Sequence, residues 1–212
     1  MHYPFTLPSL PYSYGALAPN IDERTLGYHH DKHMAACVEK LNGLLLPYPQ
    51  FQNWSLEKLC LNWDSLPCEI RNGVRSAAGG VFCHSQYFRC MAPVGSTAPT
   101  ENLRTAIDRS FSSVSNFRTV MKSASLSVFG SGFSYLVTDA SGNLFVQTFS
   151  CYESPLPMVP LCCCDMWEHA YYLQFQNRRT EYVDNFLSLL NWQYMGEIYD
   201  AVRAGDPPYP LG

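Results

Sequence analysis

Asp165-Met166-Trp167-Glu168-His169-Ala170-Tyr171-Tyr172 is the most chemically loaded stretch of the 212-residue chain. A carboxylate and an imidazole stand four residues apart, with two phenols close behind. Neutral imidazole together with carboxylate is a donor set that suits manganese, iron or zinc. The apolar run at residues 159–164 reads as a β-strand and leads directly into Asp165. The remaining imidazoles of interest lie far upstream. His29-His30-Asp31-Lys32-His33 falls in residues 23–46, a proline-free stretch that reads as one long helix with Asp22 as its N-cap. His29 and His33 share a face, and Cys37 continues that stripe by one turn. A zinc-protease helix also carries an i,i+4 histidine pair, but it needs a glutamate right after the first histidine. Here that residue is His30, so that chemistry is excluded.

Composition narrows the function classes. Charged residues are 15% and hydrophobic ones 47%, with 14 Tyr and 12 Phe, which describes a chain able to bury a core. The net charge of −4 argues against binding nucleic acid through phosphate neutralisation. No apolar run approaches the roughly 20 residues of a membrane span. The nine cysteines form no C-x-x-C pair and no even framework, so a reducing intracellular compartment is expected. The first residues show neither a signal peptide nor an Arg-rich presequence.

The chain divides at Ala92-Pro93-Val94-Gly95-Ser96-Thr97-Ala98-Pro99, a linker by composition. Before it come a proline-punctuated arm and helices near residues 23–46, 55–62 and 67–91. Gly79-Gly80 lies inside the third of these, at a cost of about 1 kcal/mol per glycine relative to alanine. Such a pair suggests close approach of another backbone or of a cofactor, beside His84. After the linker come helices at residues 100–110 and 113–124. Strands follow at residues 133–139, 144–149 and 159–164, the first two joined by a hairpin signal, and then a helix at residues 188–204. The expected fold class is α+β. An N-terminal helical-hairpin domain (1–92) precedes a C-terminal α/β domain (99–212) with a three-stranded antiparallel sheet.

Several motifs, in order, are shared with one family. Leu7-Pro-Ser-Leu-Pro-Tyr-Ser-Tyr14, Leu26-Gly-Tyr-His-His-Asp-Lys-His33, Arg75-Ser-Ala-Ala-Gly-Gly-Val-Phe-Cys-His-Ser85, Phe129-Gly-Ser-Gly132 and the 165–172 octapeptide all carry the likeness. The chain resembles the iron/manganese superoxide dismutases along nearly its full length, with Gly80 and Gln176-Asn-Arg-Arg179 leaning to the manganese-type branch. The resemblance implies one Mn or Fe ion per chain, held by His29, His84, Asp165 and His169. It implies two-step disproportionation of superoxide to oxygen and hydrogen peroxide. It also implies a homodimer, with Glu168 reaching a ligand histidine of the second subunit and Tyr172 bonding its His33, while Trp167 walls the site. Lys32, Arg75 and Arg179 are candidates for steering a small anion toward a negatively charged protein.

The chain also departs from the family. Cys37 stands where the family has its gateway tyrosine, and neither family position for the solvent-binding glutamine holds one: they are Gly80 and Tyr152. Cys83 replaces an asparagine, and Gly132-Phe-Ser-Tyr135 replaces a tryptophan-rich motif. Tyr152 and Cys37 are expected to substitute for the missing groups in a working enzyme, alongside His33 and Tyr172. The alternatives are a dismutase-derived structural subunit that keeps the metal inside a larger assembly, and a peroxide sensor using Cys37. A manganese-type chain would suit a mitochondrial matrix, and the absent presequence would suit the cytoplasm. Cys162-Cys163-Cys164 has no explanation at this level.

Overall fold

The structure is a computed structural model and describes residues 1–206. The proline-rich tail that begins at Pro207 lies outside the described residues. The N-terminal arm is pinned across the first helices. Asn42 Nδ2 donates to the Phe5 carbonyl and its Oδ1 accepts from the Phe5 N–H, both at 2.8 Å, and the Tyr12 hydroxyl donates to the Phe88 carbonyl at 2.8 Å.

Helix α1 (Glu23–Tyr28) starts at Asp22, whose carboxylate accepts from the Thr25 N–H at 2.6 Å. The sequence predicts one regular helix over residues 23–46. Instead the turn widens to π geometry over His29–Met34 before α2 (Ala35–Leu45) resumes. Wide turns of this kind fit an extra residue into the coil and are frequent at functional sites. Here His29 and His30 are both buried although adjacent. His29 faces the interior, while His30 Nε2 donates to the Pro8 carbonyl at 2.8 Å and anchors the arm.

Short α3 (Leu56–Leu61) is capped by Ser55. It leads to α4 (Cys68–Arg89), whose residues from Ala77 to Phe88 are all buried. A methyl group at Gly79 would run into the Tyr152 backbone carbonyl, and one at Gly80 would stand 2.8 Å from Cys37 Sγ. Gly79 therefore marks a close approach of another backbone, as its cost suggested, while Gly80 makes room for a side chain. Helices α5 (Glu101–Phe111) and α6 (Val114–Ser127) begin at the Thr100 and Ser113 caps.

The sheet has the order β2-β1-β3, antiparallel throughout, with β1 (Gly132–Thr138), β2 (Leu144–Ser150) and β3 (Val159–Asp165). The central strand β1 is buried along its whole length and the edge strand β2 is partly exposed. The pairing of β1 with β3 shifts between Leu136 and Val137, opposite Pro160, which has no N–H to give to a ladder. The hairpin expected between β1 and β2 is present. Asp139 Oδ1 accepts from the Ser141 and Asn143 N–H groups, and Gly142 takes φ 79°.

The end of the chain differs from the expected single helix at residues 188–204. A short helix α7 (Tyr172–Phe175) is followed by α8 (Arg179–Ser188) and α9 (Trp192–Ala204). The break arises because Leu190 bridges to Met91, the Leu189 carbonyl accepts from the Ala92 N–H at 2.7 Å, and Asn191 caps α9. Tertiary pairing of the two halves outweighs local helix propensity there. The architecture is α+β: an N-terminal helical hairpin and a C-terminal part built on a three-stranded antiparallel sheet.

All nine cysteines are free thiols. Cys162, Cys163 and Cys164 are fully buried in β3. Cys163 Sγ donates to the Cys83 carbonyl at 3.6 Å, and Cys90 Sγ donates to the Cys163 carbonyl at 3.5 Å. The triple cysteine fills the tight space between the sheet and its helices.

Gly79→Ala is expected to destabilise the protein by about 1–3 kcal/mol, because the opposing atom is backbone and cannot swing aside. Gly43→Ala, on α2 with open space around it, is expected to stabilise by about 0.5–1 kcal/mol. Thermal melts of the two variants against the wild type check the pair.

Candidate metal centre

Four side chains predicted from distant stretches converge between the helices and the sheet. His29 comes from the widened turn, His84 from α4, Asp165 from the last residue of β3, and His169 from the single 3-10 turn Glu168–Ala170. Their donor atoms all lie within 4.8 Å of one another. His29 Nε2 and His169 Nε2 are each 3.2 Å from Asp165 Oδ2, His84 Nε2 is 3.7 Å from it, and His84 Nε2 and His169 Nε2 are 3.3 Å apart. Donors about 2.0–2.2 Å from a shared cation would be spaced by roughly 3–3.6 Å. The spacings of 3.2 and 3.3 Å fall in that range, and that between His84 and Asp165 is slightly wider.

Hydrogen bonding at the far ends of these groups aims the near ends inward. His84 Nδ1–H donates to the Gly80 carbonyl at 2.6 Å, which leaves its Nε2 lone pair facing the cluster. The Trp167 N–H donates to Asp165 Oδ1 at 2.9 Å and turns Oδ2 toward the rings. His29 Nε2 is buried without a well-aligned partner. A cation shared with Asp165 would satisfy it there.

Electrostatics follow from burial. Burial alone would raise Asp165, but His169 and His29 outweigh it and hold the carboxyl well below its usual range. Burial pushes His29 and His84 down, with Asp165 opposing. His33 is pushed down to about 4, chiefly by burial and then by His169 and His29. His29, His33 and His84 therefore favour the neutral form, facing one ionised carboxylate.

The two halves of the chain match the family models described as "Iron/manganese superoxide dismutases, alpha-hairpin domain" over residues 4–92 and "Iron/manganese superoxide dismutases, C-terminal domain" over residues 99–198. The chain belongs to the iron/manganese superoxide dismutase family. It is 42% identical over 197 residues to a protein of Bacillus cereus named as a manganese superoxide dismutase, covering 92% of this chain and 94% of the relative. Proteins of the same name from Thermus aquaticus and Listeria monocytogenes are 40% and 39% identical over 201 residues. Those matches cover 94% of this chain and 98% and 99% of the two relatives. The relatives place the chain on the manganese-type branch, and its three histidines and one aspartate form a group fitted to a Mn or Fe ion.

Around this dismutase group the structure adds residues that the sequence reading missed. The Tyr87 and Phe88 rings lie 5.0 and 4.9 Å from that of His29, and Phe133 lies 6.1 Å from His84. Tyr87 and Phe88 follow His84 by three and four residues on one helix, a spacing that could have found them. Trp167 stacks on His169 at 5.6 Å, and His33 stacks on His169 at 3.7 Å. Tyr152 meets His33 rather than standing alone: its hydroxyl lies 2.7 Å from His33 Nε2. Cys37 packs against Gly80, its thiol raised by burial. Glu168 is exposed and Tyr172 is 49% exposed, so neither joins the group within this chain. Two steering candidates are committed elsewhere. Arg75 pairs with Glu153 at 2.5 Å and lies over Trp63, and Arg179 donates to the Val128 carbonyl at 2.9 Å. Lys32, beside His33, is exposed.

The metal-free protein is expected to lose stability as pH falls from about 6.5 toward about 4. Folding lowers His29, His33 and His84 alike, so in that window the unfolded chain binds more protons than the folded one. Melting temperatures of metal-free protein across that range check the sign; a flat or rising profile on acidification would contradict it.

Proposed function

We propose that the protein is a superoxide dismutase, converting two superoxide anions and two protons to oxygen and hydrogen peroxide at one Mn or Fe ion held by His29, His84, Asp165 and His169. The observation that carries the reading is the convergence of those four donors within 4.8 Å of one another, in a chain of this family. When bound, the ion supplies one-electron redox chemistry. The chain's own residues do the rest. Asp165 contributes the negative charge that favours a multiply charged cation, and the Trp167 N–H holds its orientation. The Gly80 carbonyl fixes the tautomer of His84. Tyr87, Phe88 and Phe133 line the buried side of the rings and exclude water there. His33, Tyr152 and Trp167 form the more open side, where a small anion arrives. Lys32 offers the nearby positive charge.

The reading includes a homodimer. Phe129 is 99% exposed, and Tyr28, Tyr172 and Leu173 are each about half exposed. Glu168 makes no ion pair among the described residues. A second copy would bring Glu168 to a ligand histidine and Tyr172 to His33. The division at residues 92–99 belongs to the same reading, with the ion joining the parts on either side. No helix among the described residues is long and apolar enough to cross a membrane. Nine free thiols suit a reducing compartment, and bacterial relatives favour the cytoplasm over a mitochondrial matrix.

Purified protein is expected to contain about one Mn or Fe per chain, to remove superoxide catalytically, and to run as a dimer on sizing. Asp165→Asn is expected to leave the site mostly empty by elemental analysis and to abolish the activity, since three buried imidazoles then lack their counter-charge. Stoichiometric metal without activity would leave a structural subunit of a larger assembly. Absence of metal would overturn both readings.

A further inference from the structure

We propose that Tyr152 is the residue that positions His33 at the open side of the site, and that Cys37, Gly79 and Gly80 are the small-residue cradle that admits it, Gly79 against its backbone and Gly80 beside its ring. The phenol has moved from the helix to the loop, and the helix position has shrunk to make room. This rests on the dismutase reading for its catalytic consequence, though not for its packing.

Four restraints hold Tyr152. Its hydroxyl lies 2.7 Å from His33 Nε2, across 119 residues of chain. Its ring stacks on Trp167 at 4.6 Å with the planes 9° apart. Its backbone carbonyl lies against Gly79 so closely that no side chain fits there. The residue before it, Cys151, is held at φ 52°, a left-handed conformation that non-glycine residues rarely adopt. The Cys151 carbonyl in turn accepts from Trp167 Nε1–H at 3.3 Å, so the strained residue and the stacking partner fix each other. Strain of this kind persists only where the surroundings over-determine it. Here it aims one side chain inward.

The target of that aim is functional by position. His33 stacks on the ligand His169 at 3.7 Å and lies 5.1 Å from the His84 ring. With Nε2 engaged by Tyr152, His33 has one ring orientation within its own subunit and keeps Nδ1 for a second partner.

The cradle is a matter of volume. A methyl group at Gly80 would stand 2.8 Å from Cys37 Sγ and 3.9 Å from Tyr152 Cδ2. Sulfur and ring thus border the same point on α4. A tyrosine at position 37 needs space that is already divided between Gly80 and Tyr152. Cys37 is therefore read as the small partner of a size exchange, not as a reactive thiol.

The test uses Tyr152→Phe, Cys37→Tyr, Tyr152→Gln and the double variant Cys37→Tyr/Tyr152→Gln in the full chain. On metal-free protein, Cys37→Tyr is expected to lower the melting temperature by roughly 5 °C or more, and the double variant to recover most of that loss. Additive effects of the two single changes would overturn the cradle. Tyr152→Phe keeps the ring and removes the hydroxyl. In the metal-free protein it is expected to shift the imidazole 15N resonance of His33 Nε2 while leaving those of His30 in place. Loaded with manganese, it is expected to hold the wild-type metal content, lower kcat at least about tenfold and displace the pH profile. An unchanged His33 resonance, or an unchanged pH profile with full activity, would overturn the positioning role. A wild type that binds manganese but leaves superoxide untouched would remove the dismutase reading, and the melting and 15N results would still decide the geometry.

Discussion

One buried carboxylate governs the architecture. Asp165 is fully enclosed, and an ionised carboxyl so placed costs several kcal/mol unless it is paired and hydrogen-bonded. The Trp167 N–H and three imidazoles meet that requirement from three stretches of backbone, around His29, around His84 and in the turn that follows the aspartate. Each stretch is shaped to reach it. The first helix widens at His29, α4 carries the Gly80 carbonyl that turns His84, β3 ends at the aspartate itself, and one tight turn returns His169. A group that would destabilise the fold in isolation thus ties the helical hairpin to the sheet.

Most of this was legible in the residues. The Asp22 cap, the starts of the helices near residues 55, 100 and 113, and the hairpin between β1 and β2 could be placed from the residues, and the four metal-site positions from the family resemblance. What escaped was decided by contacts distant in sequence. The π turn at His29–Met34 has no compositional signature, because the same residues make a good regular helix. The break before α9 comes from Leu189 and Leu190 pairing with the chain near Met91, almost a hundred residues away. Arg75 and Arg179 are steering candidates by sequence, and only their partners, Glu153 and the Val128 carbonyl, commit them elsewhere.

A protein interior is filled by volume, so neighbouring residues change size together. Cys37 and Tyr152 each look like a loss when matched separately to the family pattern. Taken with Gly79 and Gly80, they describe one occupied space with its contents redistributed. The departures near the metal group are then correlated, and the aromatic and imidazole stack from Tyr152 through Trp167 to His169 is continuous.

The sulfur-rich strand has a consequence for durability. An enzyme of this family releases an oxidant beside its own polypeptide, yet Cys162, Cys163 and Cys164 are sealed within the interior, as are Cys83 and Cys90. Burial pushes the thiols of Cys83, Cys162, Cys163 and Cys164 up and holds them protonated, which disarms them as nucleophiles. Damage to them has to wait for the surrounding helices to part. The working lifetime of the molecule in its own product is therefore set by how rarely the native state breathes open, and tight packing around one strand doubles as protection against wear.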